Sequence, residues 1–222
     1  MEIDQDLLRN FRFFRGHFYN LLADFLGIEL VTITLLRDPV ARTISHYRHI
    51  KRDPGHYFHQ LVQNQDLIDF VQDRNTMTMV WNFQCRSFTF RADPVMVAQG
   101  LSKGELAARA LERKLVTMMP SSSDALLDQA IMYLESCAHV GLLERFPESL
   151  TSLSRVIGFV APYDLEFRLN VDPSPPKKEE INDETLEAIV KATVLDQKLY
   201  QRAEKLLDEQ MSGRRMCCHM QR

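Results

Sequence analysis

The chain has 222 residues, enough for one globular domain, with two small domains as the alternative. Its composition, 45% hydrophobic and 26% charged, is that of an ordinary folded protein and excludes disorder as the starting assumption. The net charge of −3 excludes a chain-wide electrostatic case for nucleic-acid binding, so any basic site has to be local.

Met1 is followed by Glu2, Asp4 and Asp6 rather than by a basic segment and an apolar run. No signal peptide and no membrane-spanning stretch is therefore expected. Cys85, Cys137, Cys217 and Cys218 form no CxxC and no paired framework, which favours a reducing compartment. Residues 29–36 (ELVTITLL) are a continuous β-branched and leucine run, the pattern of a buried strand. Asp38 and Pro39 follow at once, an N-cap and a first helical residue, so a helix is expected from there to about Arg52. A strand, a tight turn and a helix make the half-unit of an α/β fold with a parallel sheet, whose ligands sit at the carboxyl ends of the strands. Beyond the break at Asp53-Pro54-Gly55, helical patterns occupy 66–74, 76–83, 104–115 and 123–137. Residues 138–143 (AHVGLL) read as a second buried strand, and 147–157 as a helix ending near Gly158. A proline-rich loop is expected at 172–176, then helical periodicity from Asp183 to Met211, in one helix or two, then a frayed tail over 213–222.

The densest chemical signal is LLRDPVARTISHYRHIKR, with five cations (Arg37, Arg42, Arg48, Lys51, Arg52) against Asp38 alone. Arg37 falls where the strand ends, and Ser45 two turns into the helix. At helical spacing Arg42, Ser45 and His49 share a face. A guanidinium fork and a hydroxyl converging from two elements suit a dianionic phosphate monoester better than a carboxylate.

Arg37-Asp38-Pro39, then Arg42, Ser45 and Tyr47, resembles the 3′-phosphate-binding motif of sulfotransferases that use 3′-phosphoadenosine 5′-phosphosulfate (PAPS). It is most similar to the carbohydrate branch, the heparan sulfate 2-O- and 6-O-type enzymes. The resemblance implies that Arg37 and Ser45 hold the 3′-phosphate of PAPS and of the product PAP, with Arg42 in support. Upstream, Phe14-Arg15-Gly16-His17-Phe18 resembles the family's Gly-His segment and implies His17 as the general base toward the acceptor hydroxyl. A histidine, with an ordinary pKa of ~6.5, can take a proton near neutrality. Residues 139–150 resemble the family's late strand and helix, and Asn170, Asp196, Leu199 and Tyr200 its closing loop and helix. These later matches give register and no chemistry.

The implied fold is an α/β three-layer domain with a central parallel sheet, of the P-loop nucleotide-kinase and sulfotransferase kind, covering residues 1–212. The implied partners are a nucleotide co-substrate and a hydroxyl acceptor, a glycan by resemblance, with no nucleic acid, no membrane segment and no metal. The expected compartment is the cytoplasm for a bacterial source. For a eukaryotic one it is the Golgi lumen, with an anchor outside these residues. The family's loop for the 5′-phosphosulfate, with its lysine and small hydroxyl residues, has no counterpart here. The first lysine is Lys51, and Gly16 and Gly27 lie in no glycine-rich loop. The chain thus reads as N-terminally truncated. The alternatives are a catalytically inactive PAP- or anion-binding remnant, and a helical interaction protein in which the motif is accidental.

Other constellations carry less. His46, His49, His56 and His59 form two HxxH pairs, but zinc needs three or four ligands in tetrahedral array, and packed or exposed histidines are commoner. Trp81, Phe83, Phe88 and Phe90 are expected to build core. Lys177 and Lys178 suit a surface loop more plainly than a glycan contact.

Overall fold

A computed structural model of the chain describes residues 9–14, 23, 26–56, 58–89, 123–159 and 181–214. They group into two compact units, Met1–Thr32 with Gln84–Ser136, and Ile33–Phe83 with Cys137–Arg222.

The second unit carries the sheet. Among the described residues two strands, β1 (Ile33–Leu36) and β2 (His139–Leu142), pair in parallel, with Ile33 opposite His139 and Leu36 opposite Leu142. The strand expected over 29–36 is therefore realised only where it has a four-residue partner. The edge of β2 away from β1 is closed by side chains. Ser149 Oγ accepts from Leu142 N at 2.8 Å and lies 3.0 Å from Leu142 O. The carboxamide of the buried Gln210, oriented to satisfy both partners, donates to Val140 O at 3.0 Å and accepts from Val140 N at 3.2 Å. Two side chains thus replace the ladder that a further strand would supply.

Helix α1 (Pro39–Arg52) starts as its sequence dictates: Asp38 Oδ1 accepts from Ala41 N at 2.8 Å and Pro39 takes the first turn. Its buried stripe is Pro39, Thr43, Tyr47 and Ile50. The short α2 (His59–Val62) and α3 (Leu67–Gln72) follow, α3 capped by Asp66 Oδ1 on Asp69 N at 2.9 Å. Tyr47, Ile50, Val62, Phe70, Val71, Met79, Val80 and Ile189 form one core cluster. Each fully buried large side chain there, such as Phe70, contributes ~1.5–3 kcal/mol.

Residues 76–83, expected as a helix, make only a 3-10 turn at Met77–Met79. The chain then places Asn82 at φ 42°, and α4 (Phe83–Thr89) begins after it. Two competing bonds account for the break. Thr76 Oγ1 donates to Phe70 O at 2.7 Å, and Asn82 is needed at the start of a distant helix. Helix α6 (Phe146–Ile157) packs on β2 and ends at Gly158 with φ 72°, the left-handed cap its glycine allows. Residues 183–211 form two helices, α7 (Asp183–Ala192), capped by Asn182 on Thr185 N at 2.8 Å, and α8 (Val194–Met211). They meet at Thr193, and α8 lies against β2 and α6. Gly213 and Arg214 close α8, with Arg214 N donating to Glu209 O at 3.0 Å.

In the first unit, Arg9 reaches across seventeen residues to Leu26 O, at 2.9 Å from Nη2 and 3.2 Å from Nε. Helix α5 (Ser123–Ser136) buries Leu126, Ala130 and Leu134 at a four-residue spacing, and Tyr133 packs tilted against Phe88 at 5.4 Å between centroids. The helix-rich α/β class agrees with expectation. The patterns at 104–115 and 172–176 and the tail beyond 214 lie outside the described residues.

Candidate functional site

The parallel register brings the ends of both strands to one corner. Leu143 N still donates to Leu36 O at 2.8 Å, so the pairing runs one residue past β2 and sets Glu144 beside Asp38. Arg37 leaves β1 at this corner, half-exposed, with Nε 3.9 Å from Glu144 Oε1. That separation is an ion pair without a hydrogen bond. Glu144 Oε2 accepts from Asp38 N at 3.1 Å and from the Tyr200 hydroxyl at 2.9 Å. Tyr200 projects from α8. Its burial, and then its bond to Glu144, hold its phenol well above the usual range, so it remains a donor.

Ser45 lies on the second turn of α1, opposite the Thr43 side of the helix, and is half-buried. Its hydroxyl makes no hydrogen bond among the described residues. Arg48, three residues on, shares its face. Arg37 and Ser45 are thus held on one strand–turn–helix unit, as the sequence pattern anticipates.

Arg42 points elsewhere. Its Nη1 donates to Met79 O, its Nη2 lies 2.8 Å from His46 Nδ1, and its guanidinium carbon stands 3.9 Å from the centre of the Phe83 ring. Lys51 is engaged too, donating to Gln65 O at 2.9 Å and to the Tyr47 hydroxyl at 3.1 Å. The five cations counted in the sequence therefore do not converge. With Asp38 and Glu144 beside Arg37, the corner is not a pool of positive charge, and an anion there has to be recognised by directional bonds.

The histidines do gather, His56 lying edge-on to His46 and His49 with centroids at 6.2 and 5.5 Å. In three of the four, one ring nitrogen is already in use. His46 Nδ1 faces Arg42, His56 Nδ1 accepts from Phe58 N at 3.2 Å, and His59 Nδ1 lies 2.9 Å from Ile50 O. Among the described residues no group of three or more histidine, cysteine or acidic side chains is arranged to hold a metal, and no helix is long and apolar enough to cross a membrane. Of the expected aromatic core, Trp81, Phe83 and Phe88 are each half-buried. His17, Phe90, Asn170, Lys177 and Lys178 lie outside the described residues.

Glu144 and Tyr200 are the two corner residues whose chemistry the sequence does not disclose. Glu144 becomes legible once β1 and β2 are paired in register, since it then falls opposite Asp38. Tyr200 reaches the corner only through the packing of α8, which no local pattern encodes.

Comparison with protein families, curated proteins and solved structures finds no match to this chain.

Proposed function

We propose that this chain is a PAPS-dependent sulfotransferase that moves a sulfuryl group to a hydroxyl of a carbohydrate acceptor. The observation that carries the proposal is Arg37 at the carboxyl end of a parallel strand, one residue before the Asp38–Pro39 helix start, with Ser45 two turns along that helix. In this scheme the Arg37 guanidinium and the Ser45 hydroxyl bind the 3′-phosphate and so place sulfur for attack. Arg42 supports the site indirectly, by fastening α1 to the Met79–Phe83 segment. The acceptor hydroxyl gives its proton to His17 and its oxygen bonds to sulfur. The bond from sulfur to the 5′-phosphate oxygen breaks, and PAP leaves. The fold proposed with it is the three-layer α/β domain around a central parallel sheet.

One observation favours a second reading, a PAP-binding domain without transfer. The first lysine in the sequence is Lys51, and its amine is bound to Gln65 and Tyr47. Incubation with PAPS labelled in the sulfuryl group and a polysaccharide acceptor separates the two. Label in the polysaccharide that disappears in Arg37→Ala supports transfer. PAP binding without transferred label supports the second reading.

A further inference from the structure

Resting on the assignment of Arg37 to an anion site, we infer that Glu144 is a built-in competitor for that site, held in place by Tyr200. The carboxylate is fixed on one oxygen by two donors, the Asp38 amide at 3.1 Å and the Tyr200 hydroxyl at 2.9 Å. Its other oxygen is thereby directed at Arg37 Nε, 3.9 Å away. An untethered glutamate at a half-exposed position would sample several rotamers, and its field at Arg37 would be averaged away. Tyr200 removes that freedom and stays protonated, so the negative charge remains set against the guanidinium.

The strength of the contact decides what it does. At 3.9 Å it lacks the hydrogen bond that makes carboxylate–guanidinium pairs strong, although Arg37 Nε itself is shielded from solvent while the rest of both side chains is about a third exposed. A phosphate that bonds Arg37 directly therefore displaces the interaction. It must still enter against the charges of Glu144 and Asp38. The corner then rejects anions that cannot bond Arg37 directly and admits those with enough directional bonds to outcompete Glu144. Ligand discrimination at Arg37 is set by an acidic neighbour on β2's end, not only by the cations of α1.

Calorimetric titration with pyrophosphate, and separately with PAP and with adenosine 5′-monophosphate, tests this on wild type, Glu144→Gln, Tyr200→Phe, Arg37→Ala and Glu144→Gln/Arg37→Ala. Glu187→Gln, an exposed position on α7, serves as a charge-matched control. Glu144→Gln keeps an acceptor for Tyr200 and the Asp38 amide while removing the charge. It is expected to tighten pyrophosphate and PAP by about three- to tenfold, most at low salt. Tyr200→Phe should shift binding the same way by less, Glu187→Gln by under about twofold, and Glu144→Gln should have no effect once Arg37 is alanine. Equal or weaker binding by Glu144→Gln at an unchanged melting temperature overturns the inference. If that variant melts early, equal or weaker binding by Tyr200→Phe overturns it as well. Failure of both pyrophosphate and PAP to bind wild type and Glu144→Gln also overturns it. Tightening of pyrophosphate with PAP no better than adenosine 5′-monophosphate upholds Glu144 as competitor and removes the nucleotide assignment instead.

Discussion

Asn82 Oδ1 accepts the backbone N–H of Leu195 at 2.8 Å, so a residue 113 positions upstream caps the first turn of α8. Asp196 N lies 3.4 Å from the same oxygen, and Asn82 N donates to Ala192 O at 3.0 Å. Asparagine suits the position twice over: it tolerates φ 42° and it carries a cap acceptor. Asn82→Ala loses the cap and adds left-handed strain, and should cost about 2–3 kcal/mol in urea unfolding. Asn82→Gly removes the strain and still loses the cap, so it should cost about 1 kcal/mol less than alanine. Equal losses in the two variants would show that the backbone conformation contributes nothing.

His139 opens β2 fully buried, with only a weak contact to the Ser149 backbone and no well-formed hydrogen bond at either ring nitrogen among the described residues. Burial pushes its pKa down to about 4. The unfolded chain, with an ordinary histidine, therefore binds the proton more readily. This group places no penalty on the fold above pH ~6.5, and its cost grows by about 1.4 kcal/mol per unit as pH falls from there toward 4. His139→Leu should flatten that part of the stability–pH curve by on the order of 3 kcal/mol. An unchanged curve in the variant would mean that other groups set the acid limb.

Ser149 serves Leu142 N and O together, both at a buried edge. Ser149→Ala leaves those groups without their partner and should destabilise by about 1–3 kcal/mol, with faster amide exchange at Leu142. Gln210→Leu should do the same at Val140. If the Val140 and Leu142 amides exchange as slowly as in wild type, another element covers this edge.

Gly141 sits between the strands and α6. A Cβ there would lie 2.7 Å from Leu35 Cδ1 and 3.0 Å from Ser149 Cβ. Leu35 is 47% exposed and can swing away, whereas Ser149 is held by its bonds to Leu142. Gly141→Ala should therefore cost about 1–3 kcal/mol in thermal or urea unfolding, and pairing it with Leu35→Ala should recover only part. Full recovery would show that Leu35 alone limits the space.

The elements legible in the sequence are those with local causes. Asp38-Pro39 starts α1 and Gly158 ends α6 at the expected positions, and the apolar runs at 29–36 and 138–143 contain both strands. For the candidate site, the placement of Arg37 at a strand end and of Ser45 on the following helix is legible to the same depth. Long-range partners were not. Thr76 and Asn82 break an apparently helical stretch because of Phe70 and Leu195. Arg42 turns inward because Met79, His46 and Phe83 await it. Glu144 and Tyr200 meet Arg37 only through sheet register and the docking of α8. A count of cations along α1 overstates the positive charge at the corner, since it includes two cations bound elsewhere and omits a carboxylate from the turn after β2.

The most direct measurement is calorimetric titration of the folded chain with PAP, with adenosine 5′-monophosphate as competitor and Arg37→Ala and Ser45→Ala as controls. PAP should bind saturably and should not be displaced by the monophosphate. Loss of a charge-assisted bond should weaken it by roughly tenfold or more in Arg37→Ala, and loss of a hydroxyl bond by less in Ser45→Ala. PAP binding that is absent, or unchanged in both variants of intact fold, would contradict the nucleotide assignment.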